Sequence, residues 1–223
     1  MFKLTKYGTD VIIKFVILSF ILIGIHFFLE NLWLKLLFFL LGFLLLLFTL
    51  YFFRDPERKL PKDFVNGKII SPGDGKIVLI EDVVNKNENL FAVGEPLKMI
   101  SIFLSPLNVH VNRIPLTGKV SYLKYIKGDY VVAFDHKSSE RNERTEIGIT
   151  SSDNKKILFK QIAGFVARRI VYVIKENDEV TAGERFGMIK FGSRVDIFIR
   201  PDAKINVKMN EMVTGGETII AEI

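Results

Sequence analysis

The chain has 223 residues, no cysteine and a formal net charge of +6. Without cysteine, disulfides, zinc–thiolate sites and thiol catalysis are excluded. The basic excess favours an anionic partner, and because the sequence carries no RNA-binding signature, no Gly/Arg-rich tail and no helix-turn-helix pattern, we expect an anionic membrane surface and no nucleic acid.

The apolar residues are concentrated near the N-terminus. Hydrophobic residues make up 49% of the chain although 25% is charged, and more than half of the 20 phenylalanines precede residue 54. Two apolar runs, residues 11–29 and 32–53, are separated only by Glu30 and Asn31. A helix of about 20 residues rises roughly 30 Å, the thickness of a bilayer's hydrocarbon core. The pattern predicts a transmembrane helical hairpin that forms a membrane anchor over residues 1–54.

Basic residues flank this anchor on both outer ends and predict its orientation. They are Lys3, Lys6, Lys14, Arg54, Arg58, Lys59 and Lys62. By the positive-inside rule both ends are cytoplasmic, which predicts a cell-membrane protein with its remaining part on the cytoplasmic side. A cleaved signal peptide is disfavoured by the length of the first run and by the lack of a small-residue cleavage site. A hairpin that dips into one leaflet is an alternative with the same outcome for the rest of the chain.

Residues 55–223 have the pattern of a β domain. Short runs rich in valine and isoleucine are broken by glycine, proline, asparagine and aspartate, which is typical of a β-sandwich or barrel. The runs are residues 68–70, 76–80, 98–104, 119–124, 157–161, 170–174, 186–190 and 195–199. No segment after residue 60 has sustained helical periodicity. The most polar stretch, residues 138–144, is predicted to be a surface loop.

One internal similarity refines the fold. Residues 175–184 (KENDEVTAGE) are echoed by residues 208–217 (KMNEMVTGGE). Each reads as a hairpin turn followed by valine and by a glycine that permits a positive φ. The cadence resembles the turns of biotinyl- and lipoyl-carrier domains. We therefore predict a β-sandwich or barrel-like hybrid domain with carrier-like hairpins.

Three features are candidates for chemistry, and each has an ordinary structural alternative. His110 interrupts an otherwise apolar stretch, whereas His26 lies in the anchor and His136 in a charged turn. Asp74 sits between two glycines and could simply cap its own turn. The Gly192–Ser193 pair could be a β-bulge, or it could present Ser193 as a nucleophile at a peptide that glycine leaves open to attack.

Taken together, ordered sequence blocks resemble the phosphatidylserine decarboxylases, in their short proenzyme form. The blocks are FRDP at 53–56, SPGDG at 71–75, SPLNVH at 105–110, KSSERNER at 137–144, QIAG at 161–164 with ARR at 167–169, and FGS at 191–193. The resemblance runs from residue 53 to the C-terminus, and the hydrophobic hairpin before it also looks like the short form.

The resemblance implies a self-processing chain. Ser193 would attack the carbonyl of Gly192, and cleavage between residues 192 and 193 would give a larger β chain and a smaller α chain that remain together as a heterodimer. Ser193 would become a covalent pyruvoyl group, the cofactor for decarboxylation. By motif, Asp74, His110 and Ser193 would be the catalytic residues, with Asp74 orienting the imidazole. Long family members have a second histidine where this chain has Arg113, which cannot act as a base, so either His110 serves both self-cleavage and turnover or another group takes one of the two roles.

The implied substrate is a serine phospholipid, phosphatidylserine or archaetidylserine, converted to its ethanolamine product without PLP or a metal. Cationic candidates for its anionic groups, with solvated or structural charges as the alternative, are Lys137, Arg141, Arg144, Arg168 and Arg169. The rival of another class is a non-catalytic, membrane-tethered biotinyl/lipoyl-like adaptor. It lacks a Met-Lys-Met acceptor and would leave Asp74, His110 and Ser193 without a shared purpose.

Overall fold

The protein is described by a computed structural model that covers residues 3–128, 142–164, 169–190 and 193–223. The chain divides into two compact units, Met1–Pro56 and Glu57–Ile223. The first is helical and the second consists of β-strands joined by turns.

The first unit is a helical hairpin. Helix α1 spans Thr9–Ile25 between two short 3-10 turns, Lys6–Gly8 and His26–Phe28, and helix α2 spans Leu32–Phe52. The Asn31 side chain caps α2 by accepting hydrogen bonds from the backbone N–H groups of Trp33 and Leu34. Both helical segments are long and apolar enough to cross a membrane, and both coincide with the predicted apolar runs.

Small side chains let the two helices pack closely. A Cβ on Gly42 of α2 would lie 2.7 Å from the carbonyl oxygen of Ser19 and 2.8 Å from Ile23 of α1. At the loop end, the His26 ring donates from Nδ1 to the Lys35 carbonyl at 3.0 Å. At the opposite end, Asp55 N–H donates to the Lys3 carbonyl at 2.7 Å. The chain therefore enters and leaves the hairpin at the same end.

The second unit contains only antiparallel strand pairs among its described residues. The strands are β1 Lys68–Ile70, β2 Gly75–Val84, β3 Pro96–Leu104, β4 Val111–Arg113, β5 Gly118–Ile126, β6 Arg144–Thr150, β7 Lys156–Ala163, β8 Ile170–Tyr172, β9 Glu179–Val180, β10 Arg185–Ile189, β11 Ser193–Ile199, β12 Lys204–Ile205, β13 Met212–Val213 and β14 Ile219–Glu222. An eight-stranded sheet has the order β13-β2-β3-β11-β7-β6-β5-β9. Two three-stranded sheets have the orders β1-β14-β12 and β4-β10-β8.

The predicted β class is confirmed, and each of the eight predicted runs overlaps a strand. The predicted runs do not include β6, which begins at Arg144, or the short strands β4, β9, β12, β13 and β14. The prediction of a surface loop at residues 138–144 is wrong for the residues of it that the structure describes, because Asn142 and Glu143 are buried. Polarity misled the prediction here, because these polar groups are satisfied inside the protein.

The two faces of the large sheet differ in chemistry. On β11, Val195, Ile197 and Ile199 point into the main hydrophobic core, whereas Arg194 and Asp196 alternate with them and point to the opposite face. We call these the core face and the outer face. On the outer face Arg194 Nε contacts the Asp196 carboxylate at 2.6 Å, and both side chains are buried. Ser193, two residues before Val195, belongs to the core face.

The predicted internal similarity is confirmed in three dimensions. Each of the two similar segments contains an asparagine with positive φ, Asn177 at 75° and Asn210 at 70°, and then a glycine with positive φ, Gly183 at 86° and Gly216 at 80°. Asparagine and glycine are the residues that adopt this conformation most readily. The two turns are therefore equivalent copies.

The repeat extends beyond these turns. Arg113 N–H donates to the carbonyl of Pro72 at 2.9 Å, and Ile70 N–H donates to the carbonyl of Pro115 at 3.0 Å. The end of β4 thus bonds to the turn that follows β1, and the end of β1 bonds to the turn that follows β4. The turn between β1 and β2 corresponds to the turn between β4 and β5.

Candidate active site

Ser193 occupies a central and enclosed position. It begins β11, with Leu104 of β3 opposite it on one side and Ala163 of β7 on the other. Its side chain is buried, and its Oγ has no hydrogen-bond partner among the described residues. A buried hydroxyl without a partner costs free energy, which makes this serine unusual for a purely structural residue. Gly192, its predicted cleavage partner, lies outside the described residues.

The polar segment before β6 closes the end of β7 beside Ser193. Asn142 Nδ2 donates to the Ala163 carbonyl at 2.7 Å, and Ala163 N–H donates to the Glu143 carbonyl at 2.9 Å. Glu143 Oε1 also accepts from Ile170 N–H at 3.4 Å. These contacts of Glu143 join the end of β7, at Ala163, to the start of β8, at Ile170.

His110 is fully buried just before β4. Its Nδ1 lies 2.9 Å from the carbonyl oxygen of Asn108. A carbonyl oxygen only accepts hydrogen bonds, so Nδ1 carries the hydrogen. In the neutral imidazole the lone pair is then on Nε2, which is the atom that can take a proton.

Asp74 lies in the turn between β1 and β2. Its Oδ1 accepts from the backbone N–H of Gly215 at 2.8 Å, and its Oδ2 accepts from Arg58 Nη2 at 3.0 Å. Arg58 Nη1 also contacts Glu217 Oε2 at 3.0 Å. Sequence analysis used Arg58 only as a flanking positive charge and missed this pairing. The signal that could have found it is its place two residues after the FRDP block.

The internal repeat distinguishes two properties of Asp74, its hydrogen-bond acceptor oxygen and its negative charge. In the other copy, Thr117 occupies the equivalent position, and its Oγ1 accepts from the Ala182 N–H at 3.0 Å. The equivalent bond of Asp74 is the one to Gly215. Both copies therefore need an oxygen acceptor at this place, but only one copy has a carboxylate there.

Close backbone packing brings together the three segments that carry Asp74, His110 and Ser193. A Cβ on Gly73 would lie 3.2 Å from the side chain of Leu104, the strand partner of Ser193, and 3.2 Å from Asn112 Nδ2. A Cβ on Gly75 would lie 2.4 Å from the Phe103 carbonyl oxygen. Glycine is therefore required where the SPGDG turn lies against β3.

Arg113, which stands where long family members have a second histidine, makes a structural contact. It is buried, and its Nη1 donates to the carbonyl of Gly183 at 2.9 Å. A Cβ on Gly216 would lie 2.7 Å from Arg113 Cδ. The Arg113 side chain thus contacts the equivalent glycines of both carrier-like turns.

The cationic candidates for the headgroup differ in placement. Arg144 Nε contacts Glu146 Oε1 at 3.1 Å, on the outer face and so away from Ser193, which favours the structural alternative for this residue. Arg169 is exposed. Lys137, Arg141 and Arg168, like His136, lie outside the described residues. In the part of the chain that is described, no cluster of His, Asp and Glu could hold a metal ion.

The chain is similar in sequence to known proteins along most of its length. The family model described as phosphatidylserine decarboxylase matches residues 45–221. A phosphatidylserine decarboxylase proenzyme of Chlorobium chlorochromatii is 44% identical over 97% of this chain and 98% of its own length. One from Chlorobium limicola is 43% identical over 98% of this chain and 99% of its own. One from Salinibacter ruber is 47% identical over 78% of this chain and 75% of its own length.

Proposed function

The chain belongs to the phosphatidylserine decarboxylase family, so it is a decarboxylase, and we propose that it is the self-cleaving precursor of a pyruvoyl enzyme that acts on phosphatidylserine. The observation that carries this proposal is the Oγ of Ser193 on the large sheet, which is buried without a hydrogen-bond partner among the described residues, beside the segments that carry His110 and Asp74. Relatives along almost the whole chain leave the adaptor alternative without support.

The surroundings of Ser193 fit a pyruvoyl group. A carbonyl oxygen in place of the hydroxyl would remove a buried O–H that has no acceptor among the described residues. Backbone bonds of β11 to β3 and β7 would hold the group on both sides. Once formed, such a group supplies a carbonyl that takes up the amine of the substrate and accepts electrons as CO₂ leaves.

The chain's own residues account for self-cleavage. Ser193 Oγ attacks the carbonyl of Gly192, His110 Nε2 takes the hydroxyl proton and returns it to the departing amide nitrogen, and an ester replaces the peptide bond. Loss of the Cα proton of residue 193 to a base then breaks the Cβ–O bond of the ester and releases the β chain with Gly192 as its carboxylate. Hydrolysis of the remaining dehydroalanine consumes water, releases ammonia and leaves the pyruvoyl group at the start of the α chain.

Asp74 and Asn108 support His110 in different ways. The Asn108 carbonyl fixes the tautomer through Nδ1, so that Nε2 is available to act as the base. Asp74 contributes the negative charge that stabilises the imidazolium formed during the reaction. Arg58 and the Gly215 N–H hold that carboxylate in one orientation.

The helical hairpin serves a substrate that resides in the bilayer. Two apolar helices long enough to cross a membrane tether the enzyme where the lipid is, which raises the effective concentration of the substrate. The basic residues at both outer ends support a location of the catalytic unit on the cytoplasmic side of the cell membrane.

Intact mass spectrometry of the detergent-extracted protein, beside a Ser193→Ala variant, tests this function. We expect two fragments, residues 1–192 and 193–223, with a carbonyl-reactive and blocked N-terminus on the smaller one, and a single uncut chain for the variant. Purified enzyme should then release CO₂ from phosphatidylserine vesicles. A wild-type chain that stays uncut and matches the variant would contradict the proposal.

A further inference from the structure

A buried bond between two side-chain amides joins the His110 segment to the large sheet. Gln161 Nε2 on β7 donates to Asn112 Oδ1 on β4 at 2.8 Å, and both side chains are fully buried. The strands β4 and β7 belong to different sheets. The bond therefore fixes the position of one sheet relative to another at the place where His110 precedes β4.

Gln161 shares the core face with Ser193. It lies opposite Val195 of β11 in the strand register, and Ser193 is two residues before Val195 on the same face. Diagonal neighbours of this kind in an antiparallel pair are roughly 7–8 Å apart between backbones, within reach of a long side chain. The glutamine amide is thus the polar group that connects the Ser193 region of the sheet to β4.

Asn112 also contacts the Asp74 turn. Its Nδ2 lies 3.4 Å from the Pro72 carbonyl, which accepts a shorter bond from Arg113 N–H at 2.9 Å. The same nitrogen lies against Gly73 closely enough that a Cβ there would approach it to 3.2 Å. Asn112 therefore contacts the turn of Asp74, belongs to the segment of His110, and bonds to the sheet of Ser193.

Stability alone does not explain this pair. Gln161 Oε1 is buried and has no partner among the described residues. A net intramolecular hydrogen bond contributes only modestly to stability, whereas a buried polar atom left unpaired costs at least as much as such a bond contributes. An apolar side chain of similar volume would thus serve a hydrophobic core face at least as well. A directional bond kept at this cost points to a need for exact placement.

We propose that Asn112 and Gln161 are positioning residues for self-cleavage, whose amide–amide bond holds the His110 imidazole in register with Ser193. The inference rests on the proposed function and adds to it the two residues that align the base with the nucleophile. In this role neither residue exchanges a proton during the reaction. Displacement of a reacting group by about 1 Å can reduce a rate by about 100-fold, so loss of this bond should slow cleavage strongly.

The test compares the time course of cleavage, by intact mass, in full-length variants expressed as precursors. Gln161→Met keeps the length and volume of the side chain but removes the bond, and Asn112→Ala removes it from the other side. We expect each to slow cleavage at least about tenfold. The double variant should be no slower than the slower single variant, because both changes remove the same bond.

Two controls on the same sheet face separate positioning from folding. Thr145→Val removes a buried hydroxyl that also has no partner among the described residues, directly opposite Gln161 in the register. Ile147→Val removes a buried methyl group two residues further along and destabilises the core mildly. Both should cleave at the wild-type rate, and their melting temperatures show how much destabilisation the reaction tolerates.

Two further measurements identify the step. If positioning is lost, the pH dependence of cleavage keeps its midpoint while the plateau rate falls, because the base itself is unchanged. Hydroxylamine, which cleaves esters but not amides, should then fail to cut Gln161→Met, because the ester forms slowly. Rapid cutting by hydroxylamine would place the defect after ester formation and would overturn the inference.

The outcomes distinguish this inference from the proposed function. Wild-type cleavage that depends on Ser193, together with equally fast cleavage in Gln161→Met and Asn112→Ala, would overturn the positioning role alone. Equal slowing in Thr145→Val and Ile147→Val would also overturn it, because the effect would then follow general destabilisation. Absence of cleavage in the wild-type chain would contradict the proposed function and the inference with it.

Discussion

Asp74 and Thr117 occupy equivalent positions in the two copies of the internal repeat. Each accepts a hydrogen bond from the backbone of its copy's carrier-like turn, Asp74 from Gly215 at 2.8 Å and Thr117 from Ala182 at 3.0 Å. Comparison of the two copies thus shows that the structural requirement at this position is an oxygen that accepts a hydrogen bond. What Asp74 adds to that requirement is negative charge.

Asp74→Thr should therefore keep the bond to the turn and lose the negative charge, together with the ion pair that this charge makes with Arg58. We expect the variant to fold and to cleave itself at least about 100-fold more slowly, because support of a general base typically contributes 10²- to 10⁴-fold. Asp74→Ala should be equally slow and should also lose about 1 kcal/mol of stability with the bond to Gly215. Cleavage is followed by intact mass and stability by thermal melting. Thr117→Asp is the matched control and should cleave normally; wild-type cleavage in Asp74→Thr would show that the charge is dispensable.

Arg58 should matter through the carboxylate that it orients. Arg58→Gln removes the contacts to Asp74 and Glu217, and we expect cleavage to slow about tenfold, equivalent to about 1.4 kcal/mol of lost orientation. Arg58→Lys keeps the charge without the two-pronged geometry and should be intermediate. Cleavage rates are again read from intact mass.

Arg185→Gln is the control for Arg58. Arg185 pairs with Glu57 at 3.0 Å and is similarly exposed, at 23% against 18% for Arg58, but its pair does not include Asp74. It should cleave at the wild-type rate. If both arginine variants slow cleavage equally, Arg58 acts through stability and not through Asp74.

Acid should weaken the ion cluster on the outer face, in which the Glu146 carboxylate contacts Arg144 at 3.1 Å and Lys160 at 3.0 Å. Burial raises the pKa of Glu146, but the charge and hydrogen bond of Lys160, followed by those of Arg144, lower this pKa more, so that it lies below its ordinary value. A depressed pKa in the folded state gives stability that is complete above the unfolded pKa, about 4.3, and is lost as pH falls through the folded value. The free energy of unfolding should therefore fall as pH is lowered below about 4.3.

Lys160→Met tests the cause of that loss. With only Arg144 left beside Glu146, the pKa of Glu146 should be less depressed, so the acid-dependent loss of stability should still begin near pH 4.3 but should be smaller than in the wild type and complete at a higher pH. Urea midpoints between pH 3 and 7 measure it. Asp82→Asn, which breaks the ion pair of a 76% exposed carboxylate with Lys98, should cost little at any pH. An unchanged acid profile in Lys160→Met would exclude Lys160 as the cause.

The contact between the anchor helices should depend on Gly42. In Gly42→Leu the new side chain would meet the Ser19 carbonyl, a backbone atom that cannot move aside without distorting α1. We expect faster amide hydrogen exchange in α1 and α2, measured by mass spectrometry in detergent micelles. Gly24→Leu is the matched control, because nothing lies within 4 Å of a Cβ there. Equal exchange in the two variants would show that close packing at Gly42 is unimportant.

The sequence by itself determined the features that are local in the chain. Apolar runs long enough to cross a bilayer predicted the helices, and alternation with turn residues predicted the strands, because both depend on neighbouring residues. The repeated turns were visible for the same reason, since their asparagine and glycine positions follow from local backbone geometry. The ordered blocks identified the family and singled out Ser193, His110 and Asp74.

Only the tertiary structure decided which groups meet. The pairing of Arg58 with Asp74 and the bond between Asn112 and Gln161 join residues that lie 16 and 49 positions apart along the chain, and no sequence pattern links them. The burial of Asn142 and Glu143 depends on partners that the sequence does not reveal. A side chain's polarity is local, but whether a distant partner satisfies it depends on how the strands are arranged. Here that arrangement brings together the three segments that carry Asp74, His110 and Ser193.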